Sequence, residues 1–196
     1  MRLFPSITNL DNEQINTYPI QSFKGTIHIV DSDETMNYAI SYLKKCNIIG
    51  FDTETRPSFK KGVSYATSLL QLSDNHNAFL FRLTITGLPK ELTRIFSSKK
   101  IVKAGAAIHD DIKSLKAITK FTTNSFVDIQ TLAKDVGIEH FGLKKLCPLV
   151  LGFRISKRQQ LSNWNAQTLS EAQKLYAATD AWVCYELYKA LQPHTT

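Results

Sequence analysis

Long apolar runs are missing from this chain. Nothing approaches the ~18 uninterrupted apolar residues of a membrane span, and Met1-Arg2-Leu3-Phe4-Pro5 lacks the apolar stretch and small-residue cleavage site of a signal peptide. The sequence therefore predicts a soluble, non-exported protein with a cytoplasmic location and no membrane partner. Cysteine is scarce as well: Cys46, Cys147 and Cys184 are odd in number, widely spaced and set among apolar neighbours. That pattern suggests neither a disulfide framework nor a zinc cluster and leaves reduced core residues. Internal repeats and low-complexity segments are absent. The 196 residues, 43% hydrophobic and 21% charged, suffice for one sizeable core. The expectation is a single domain over 21–196, preceded by a loose arm over 1–20.

Acidic residues are in the minority, 17 against 24 lysines and arginines, for a formal net charge of +7. A surplus of this size favours a polyanionic partner without identifying one. The cations gather at Lys60-Lys61, Lys99-Lys100 with Lys103, Lys113 with Lys116, Lys144-Lys145, and Arg154 to Arg158. Each such group is ordinarily a solvated surface. Lys60, just after one acidic motif, and Lys113, beside another, are the better placed to flank a phosphate backbone.

Hydrophobic periodicity predicts a strand over 26–30, a helix over 33–45, and three successive strands over 47–53, 68–73 and 78–82, the last two joined by the turn residues Ser73 to Asn77. Beyond these, a helix over 89–97, a strand over 101–104, a helix over 110–118 and a strand over 126–128 alternate. Helices over 129–136, 143–151 and 169–190 complete the chain. Antiparallel strands followed by strand-helix alternation imply an α/β fold with a mixed central sheet and helices on both faces.

The few acids fall in telling places. In Asn47 to Thr55 a β-branched and aromatic run ends abruptly in Asp52-Thr53-Glu54. Strand alternation sends Asp52 and Glu54 to the same side, ~7 Å apart along the strand. Such a pair is either solvated at a strand end or shares a cation, and oxygen-only ligands select a hard divalent ion. In Ile108 to Ile118 the apolar face contains Asp111, while Asp110 points away and reads as a first-turn acid. Near the C-terminus Tyr176 and Asp180 lie one helical turn apart, inside the stripe formed by Leu169, Ala172, Val183, Leu187 and Leu191. A charge there needs a cation partner or must be neutral. A core ion pair and a functional site both satisfy that requirement.

Taken together, Asp52, Glu54, Asp111 and Asp180, with Tyr176 four residues before the last, resemble the DEDD superfamily of 3′→5′ exonucleases, and the tyrosine marks the subgroup. Phe51-Asp52-Thr53-Glu54, Ile108-His109-Asp110-Asp111, Leu161-Ser162-Asn163-Trp164 and Leu175 to Ala181 carry the likeness. The last two are similar to segments of the ribonuclease D family and of the Werner syndrome helicase exonuclease domain. A histidine five residues before Asp180 would mark the other subgroup, but Leu175 stands there. His109 and His140 read as structural or surface residues.

The resemblance implies a ribonuclease-H-like fold and hydrolysis of nucleic acid from a free 3′ end by two divalent ions, Mg²⁺ or Mn²⁺. By that pattern Asp52 bridges both ions, Glu54 and Asp180 complete one, Asp111 holds the other, and Tyr176 orients the attacking water. It also makes the Thr53 amide a partner for a terminal 3′-hydroxyl. Arg154, Lys157 and Arg158 form a basic loop that suits strand contact. Trp164 suits either base stacking or anchoring of a loop. An inactive binding module and a ribonuclease-H-type endonuclease are the alternatives, and the sequence does not choose between DNA and RNA.

Overall fold

The structure is a computed structural model that describes residues 10–138 and 142–192. In chain order the elements are α1 (Asn12–Thr17), β1 (Thr26–Val30), α2 (Asp33–Leu43), β2 (Ile48–Thr55), β3 (Thr67–Ser73), β4 (Asn77–Arg82) and α3 (Leu83–Thr86). There follow α4 (Lys90–Phe96), β5 (Val102–Gly105), α5 (His109–Ile118), β6 (Phe126–Asp128), α6 (Ile129–Asp135), α7 (Leu143–Leu146), a π-helical turn (Cys147–Leu151) and α8 (Glu171–Leu191).

The six strands form one mixed sheet in the order β1-β4-β3-β2-β5-β6. The β2-β3-β4 meander is antiparallel, and β1, β5 and β6 join in parallel. Every residue of β3 is buried, as a central strand covered on both faces must be. On one face Phe51, Leu70, Leu72, Phe79 and Phe81 pack beneath α2, α4 and α5 through Leu43, Leu92, Phe96 and Leu115. On the other, Leu69, Leu80 and Ala104 meet α6 and α8 through Ile129, Ala133, Tyr176, Ala177 and Leu187. The expected α/β sheet with helices on both faces is present. No helix among the described residues is long and apolar enough to cross a membrane.

The approach of α8 to β2 is set by one glycine. A Cβ on Gly50 would lie 1.8 Å from the Ala181 carbonyl oxygen, so only glycine lets the helix backbone lie on the strand there. Over 176–181 the helix is buried all round.

Four local expectations differ from the structure. The arm over 1–20 is not loose throughout: Asp11 and Gln14 form a capping box, α1 follows, and Leu10 and Ile15 are buried. The helix expected over 143–151 is α-helical only to Leu146 and continues as the π-helical turn. Its change of pitch comes at Pro148, which has no amide to donate. Helix α8 begins at Glu171 because Ser170 caps it with Gln173, and Ala172 is exposed rather than part of the core stripe. Finally, α3 is a single turn after β4 with too few residues to show a period.

Candidate active site

Strand alternation on β2 splits the motif between the two faces of the sheet. Phe51 and Thr53 point to the side of α5, and Asp52 and Glu54 to the side of α8. Because Gly50 admits α8, Asp180 arrives beside this pair. One carboxylate oxygen from each of Asp52, Glu54 and Asp180 lies within 4.8 Å of the others. Asp111 comes from the opposite face: Thr53 Oγ1 donates to its Oδ1 at 2.5 Å, and its charge bears on Asp52 and Glu54. The four acids therefore converge at the end of β2, three as a cluster and the fourth held by Thr53. Asp110 and His109 are exposed, as expected, while His140 lies outside the described residues.

Of the two alternatives left open for Asp180, a cation partner or neutrality, the structure supplies the partner, Lys157. Its Nζ donates to Oδ1 at 2.9 Å and to Oδ2 at 2.8 Å, and lies 5.4 Å from the centroid of the Tyr176 ring. A cleft of about 560 Å³ opens over this group, walled by Asp52, Glu54, Lys144, Lys157, Tyr176 and Asp180.

A family model described as 3′-5′ exonuclease matches residues 27–196. The chain is 27% identical over 222 residues to the exonuclease mut-7 homolog of Aedes aegypti, covering 96% of this chain and 30% of that protein. To the bifunctional 3′-5′ exonuclease/ATP-dependent helicase WRN of Mus musculus it is 32% identical over 151 residues, covering 74% and 11%. In three dimensions it is similar to the Aedes aegypti Nibbler EXO domain, with a TM-score of 0.80 at 25% identity over 88% of this chain and 91% of that one. The chain belongs to the 3′-5′ exonuclease family. It is of the DEDD type with the ribonuclease-H-like fold, and it spans under a third of the length of these two curated relatives.

The electrostatics of this site follow from crowding partly buried acids together. Burial first, then the charges of Asp180 and Asp111, raise the Asp52 carboxyl well above the usual range. Glu54 is pushed up to about 9 by burial and by Asp52 and Asp180. Burial also raises Asp111, against the Thr53 hydrogen bond, and Asp180, against Lys157. The Tyr176 phenol is driven far above its ordinary value by burial and by the charges of Asp180 and Glu54. One ammonium does not balance three clustered carboxylates. Across the strand from Asp52, the buried Gln71 amide has no partner among the described residues. A hard-oxygen donor set short of positive charge fits divalent cations.

The other expected contacts divide. Lys60, Lys113 and Arg158 are exposed and without a carboxylate partner among the described residues. Arg154 is half-buried, its Nε donating to the Tyr18 carbonyl at 3.1 Å. Lys157 is turned inward to Asp180 rather than outward. Trp164 has no exposed surface and packs against Tyr176 with ring centroids 5.8 Å apart. It anchors the loop, and the base-stacking alternative is corrected, because no face of the indole is free. Leu69, Leu70 and Phe51 are fully buried core.

Two groups escaped the sequence reading. Lys144, Gln130 and Gln160 line the cleft, and of these only Lys144 had a signal, as one of a basic pair. Asp128 closes β6 and accepts from the amides of Ala107 at 3.2 Å, Ile108 at 3.3 Å and Gln130 at 2.8 Å. It fixes the turn into α5, where Ala107 has a φ of 57°, a left-handed conformation that alanine resists. The aspartate at the start of α6 was a visible capping signal, but its reach back across the parallel strands was not.

Proposed function

We propose that this chain hydrolyses the phosphodiester bonds of nucleic acid one nucleotide at a time from a free 3′ end, releasing nucleoside 5′-monophosphates. The observation that carries the reading is the convergence of Asp52, Glu54 and Asp180 on one point, with Asp111 beside them and Tyr176 buried against the last. Asp52, Glu54 and Asp180 would hold one divalent ion, Mg²⁺ or Mn²⁺, and Asp52 with Asp111 a second. When bound, such a pair supplies water activation on one side of the phosphorus and charge stabilisation at the leaving oxygen on the other. The remaining work belongs to the chain. Tyr176, its phenol held protonated, serves as a hydrogen-bonding group that orients the attacking water and is no general base. Thr53 keeps Asp111 in place through its hydroxyl, while its amide, which the family pattern offers to a terminal 3′-hydroxyl, lies against the Asp52 carboxylate. Lys60, Lys113, Arg154 and Arg158 supply positive charge along the approach, and Lys157 screens the acids against the incoming phosphate.

The test is degradation of 5′-labelled single-stranded DNA, recessed-end duplex, RNA and a circular strand with Mg²⁺, Mn²⁺ or chelator, for wild type and Asp52→Asn. A metal-dependent ladder shortening from the 3′ end and lost in the variant is the expected result. Cutting of the circle would make the protein an endonuclease. Binding without cleavage of any substrate would make it an inactive module.

A further inference from the structure

A second, smaller pocket of about 310 Å³ lies beside the acid cleft, between α1 and the segment 153–158. Its volume is at the lower end of small-ligand sites, about 300 Å³ and upward. Ile15 and Asn16 form one wall, and Lys144, Arg154, Lys157 and Arg158 the others. Lys144 and Lys157 also line the cleft, so the two cavities adjoin. No carboxylate is in the lining, and Asp11 is spent in the α1 capping box.

Three of the four cations, Lys144, Arg154 and Arg158, are positioned without being neutralised. Lys144 Nζ donates to Asn12 Oδ1 at 2.8 Å, and Arg154 Nε to the Tyr18 carbonyl at 3.1 Å, both uncharged acceptors. Among the described residues only Lys157, of the four, has a carboxylate partner. The wall is anchored by the main chain. Gln21 N donates to Arg154 O, and Arg154 N to Pro19 O, both at 2.9 Å, and Ile15 is only 2% exposed. A fold that needed α1 merely as a cover would gain more from apolar or acidic partners for these side chains. Holding unneutralised cations around an open cavity costs self-repulsion, which a bound anion relieves.

We infer that this pocket is a second phosphate site, which takes a backbone phosphate of the strand whose 3′ end lies at the acids. The inference rests on the exonuclease reading above. It adds that α1, which lies ahead of the family-matched residues 27–196, is part of the substrate-binding surface. A dinucleoside monophosphate has one phosphate, and divalent ions at the acids would claim it. A decamer has further phosphates for the pocket.

Asn16 is exposed on α1 and lines the pocket, so its charge can be changed without disturbing the core. Equilibrium binding of a 5′-labelled single-stranded decamer and of a dinucleoside monophosphate is measured with Ca²⁺, a hard divalent ion in place of Mg²⁺ or Mn²⁺, at several salt concentrations, for wild type, Asn16→Glu and Asn16→Lys. The expected result is decamer affinity several-fold lower in N16E and several-fold higher in N16K. The logarithmic salt slope should become shallower in the first and steeper in the second, by about 0.7 per charge. The dinucleotide should bind all three proteins equally. Equal decamer affinity and slope in all three, or a matching change for the dinucleotide, overturns the pocket. If wild type degrades the decamer while the variants bind it identically, the pocket alone fails. If wild type neither binds nor degrades it, the exonuclease reading fails first.

Discussion

The Lys157 ammonium bridges both oxygens of the Asp180 carboxylate, at 2.9 and 2.8 Å, at the centre of the acid cluster. Asp180 is 2% exposed, so this pair is the charge balance that lets a carboxylate sit in the middle of α8. Removing one partner of a buried pair typically costs about 3–5 kcal/mol, less where the survivor can take a proton. Lys157→Met should therefore destabilise the metal-free protein by about 2–4 kcal/mol. Saturating Mn²⁺ should restore most of that loss, since a cation again faces Asp180. Thermal unfolding in chelator and in Mn²⁺ reads both effects. A variant as stable as wild type in chelator would remove this role from Lys157.

The raised carboxyls also predict a pH dependence with a definite sign. Glu54 stands at about 9 in the folded protein, Asp52 well above its ordinary value, and Asp111 and Asp180 are raised too. Between the unfolded value near 4.5 and the folded one, the native state binds protons that the unfolded chain has released. Stability of the metal-free protein must then fall as pH rises through that window. Lys103, pulled down to about 8 by burial, acts in the opposite direction above that pH, so pH 5 to 7.5 is the clean range. The melting temperature in chelator should decline over it, and added Mn²⁺ should flatten the decline. A flat or rising profile in chelator would mean that the acids are better hydrated than their crowding implies.

Much of the site was legible because its chemistry uses regular elements. The period of two on β2 paired Asp52 with Glu54, and the helical period chose Asp111 over Asp110 and required a cation partner or neutrality for Asp180. What was not legible depends on contacts distant in sequence. Nothing local says that Lys157 will turn inward, that Asp128 will hold the turn before α5, or that Gly50 will admit α8. Trp164 illustrates the limit from the other side. An aromatic before a helix suits a ligand or a core equally until the partner ring, Tyr176, is seen against it. The arm failed for a different reason: α1 is six residues long, too short for a hydrophobic period, and its capping box was the one cue.

Asp128 gives a prediction about placement rather than chemistry. It does not itself line the cleft, but it holds the Ala107 and Ile108 amides just ahead of Asp111. Asp128→Ala frees a left-handed alanine to relax and lets the first turn of α5 shift. Misplacement of a reacting group by ~1 Å can cost on the order of 10²-fold in rate. The turnover number should fall by about ten- to a hundredfold with the KM for the strand little changed. Asp128→Asn, which retains an acceptor, should lie between that variant and wild type. Steady-state kinetics on one defined strand decides the matter. A purely structural Asp128 would lower the melting temperature of both variants without separating the two kinetic constants.

The stability of the opposite face turns on Lys103. Its side chain is fully buried, and its Nζ donates to the carbonyls of Ile95 at 3.2 Å, Ser98 at 2.8 Å and Ile101 at 2.7 Å, 5.1 Å from the centroid of the Phe126 ring. Ile95 lies in the last turn of α4, and Ser98 just beyond it, so the ammonium caps that helix end and the following turn from inside. Three donors for three carbonyls require the protonated form, which is why a lysine is tolerated beneath the sheet. Methionine matches the stem in volume but donates nothing. Each buried acceptor left unpaired costs about 1–3 kcal/mol, and partial hydration of a turn recovers some of that. Lys103→Met should accordingly lose about 3 kcal/mol in urea unfolding at pH 7. Metal affinity at the acids should not change, because β5 ends short of the cleft's carboxylates. A loss under about 1 kcal/mol would show that water already reaches those carbonyls and that the lysine is a passenger.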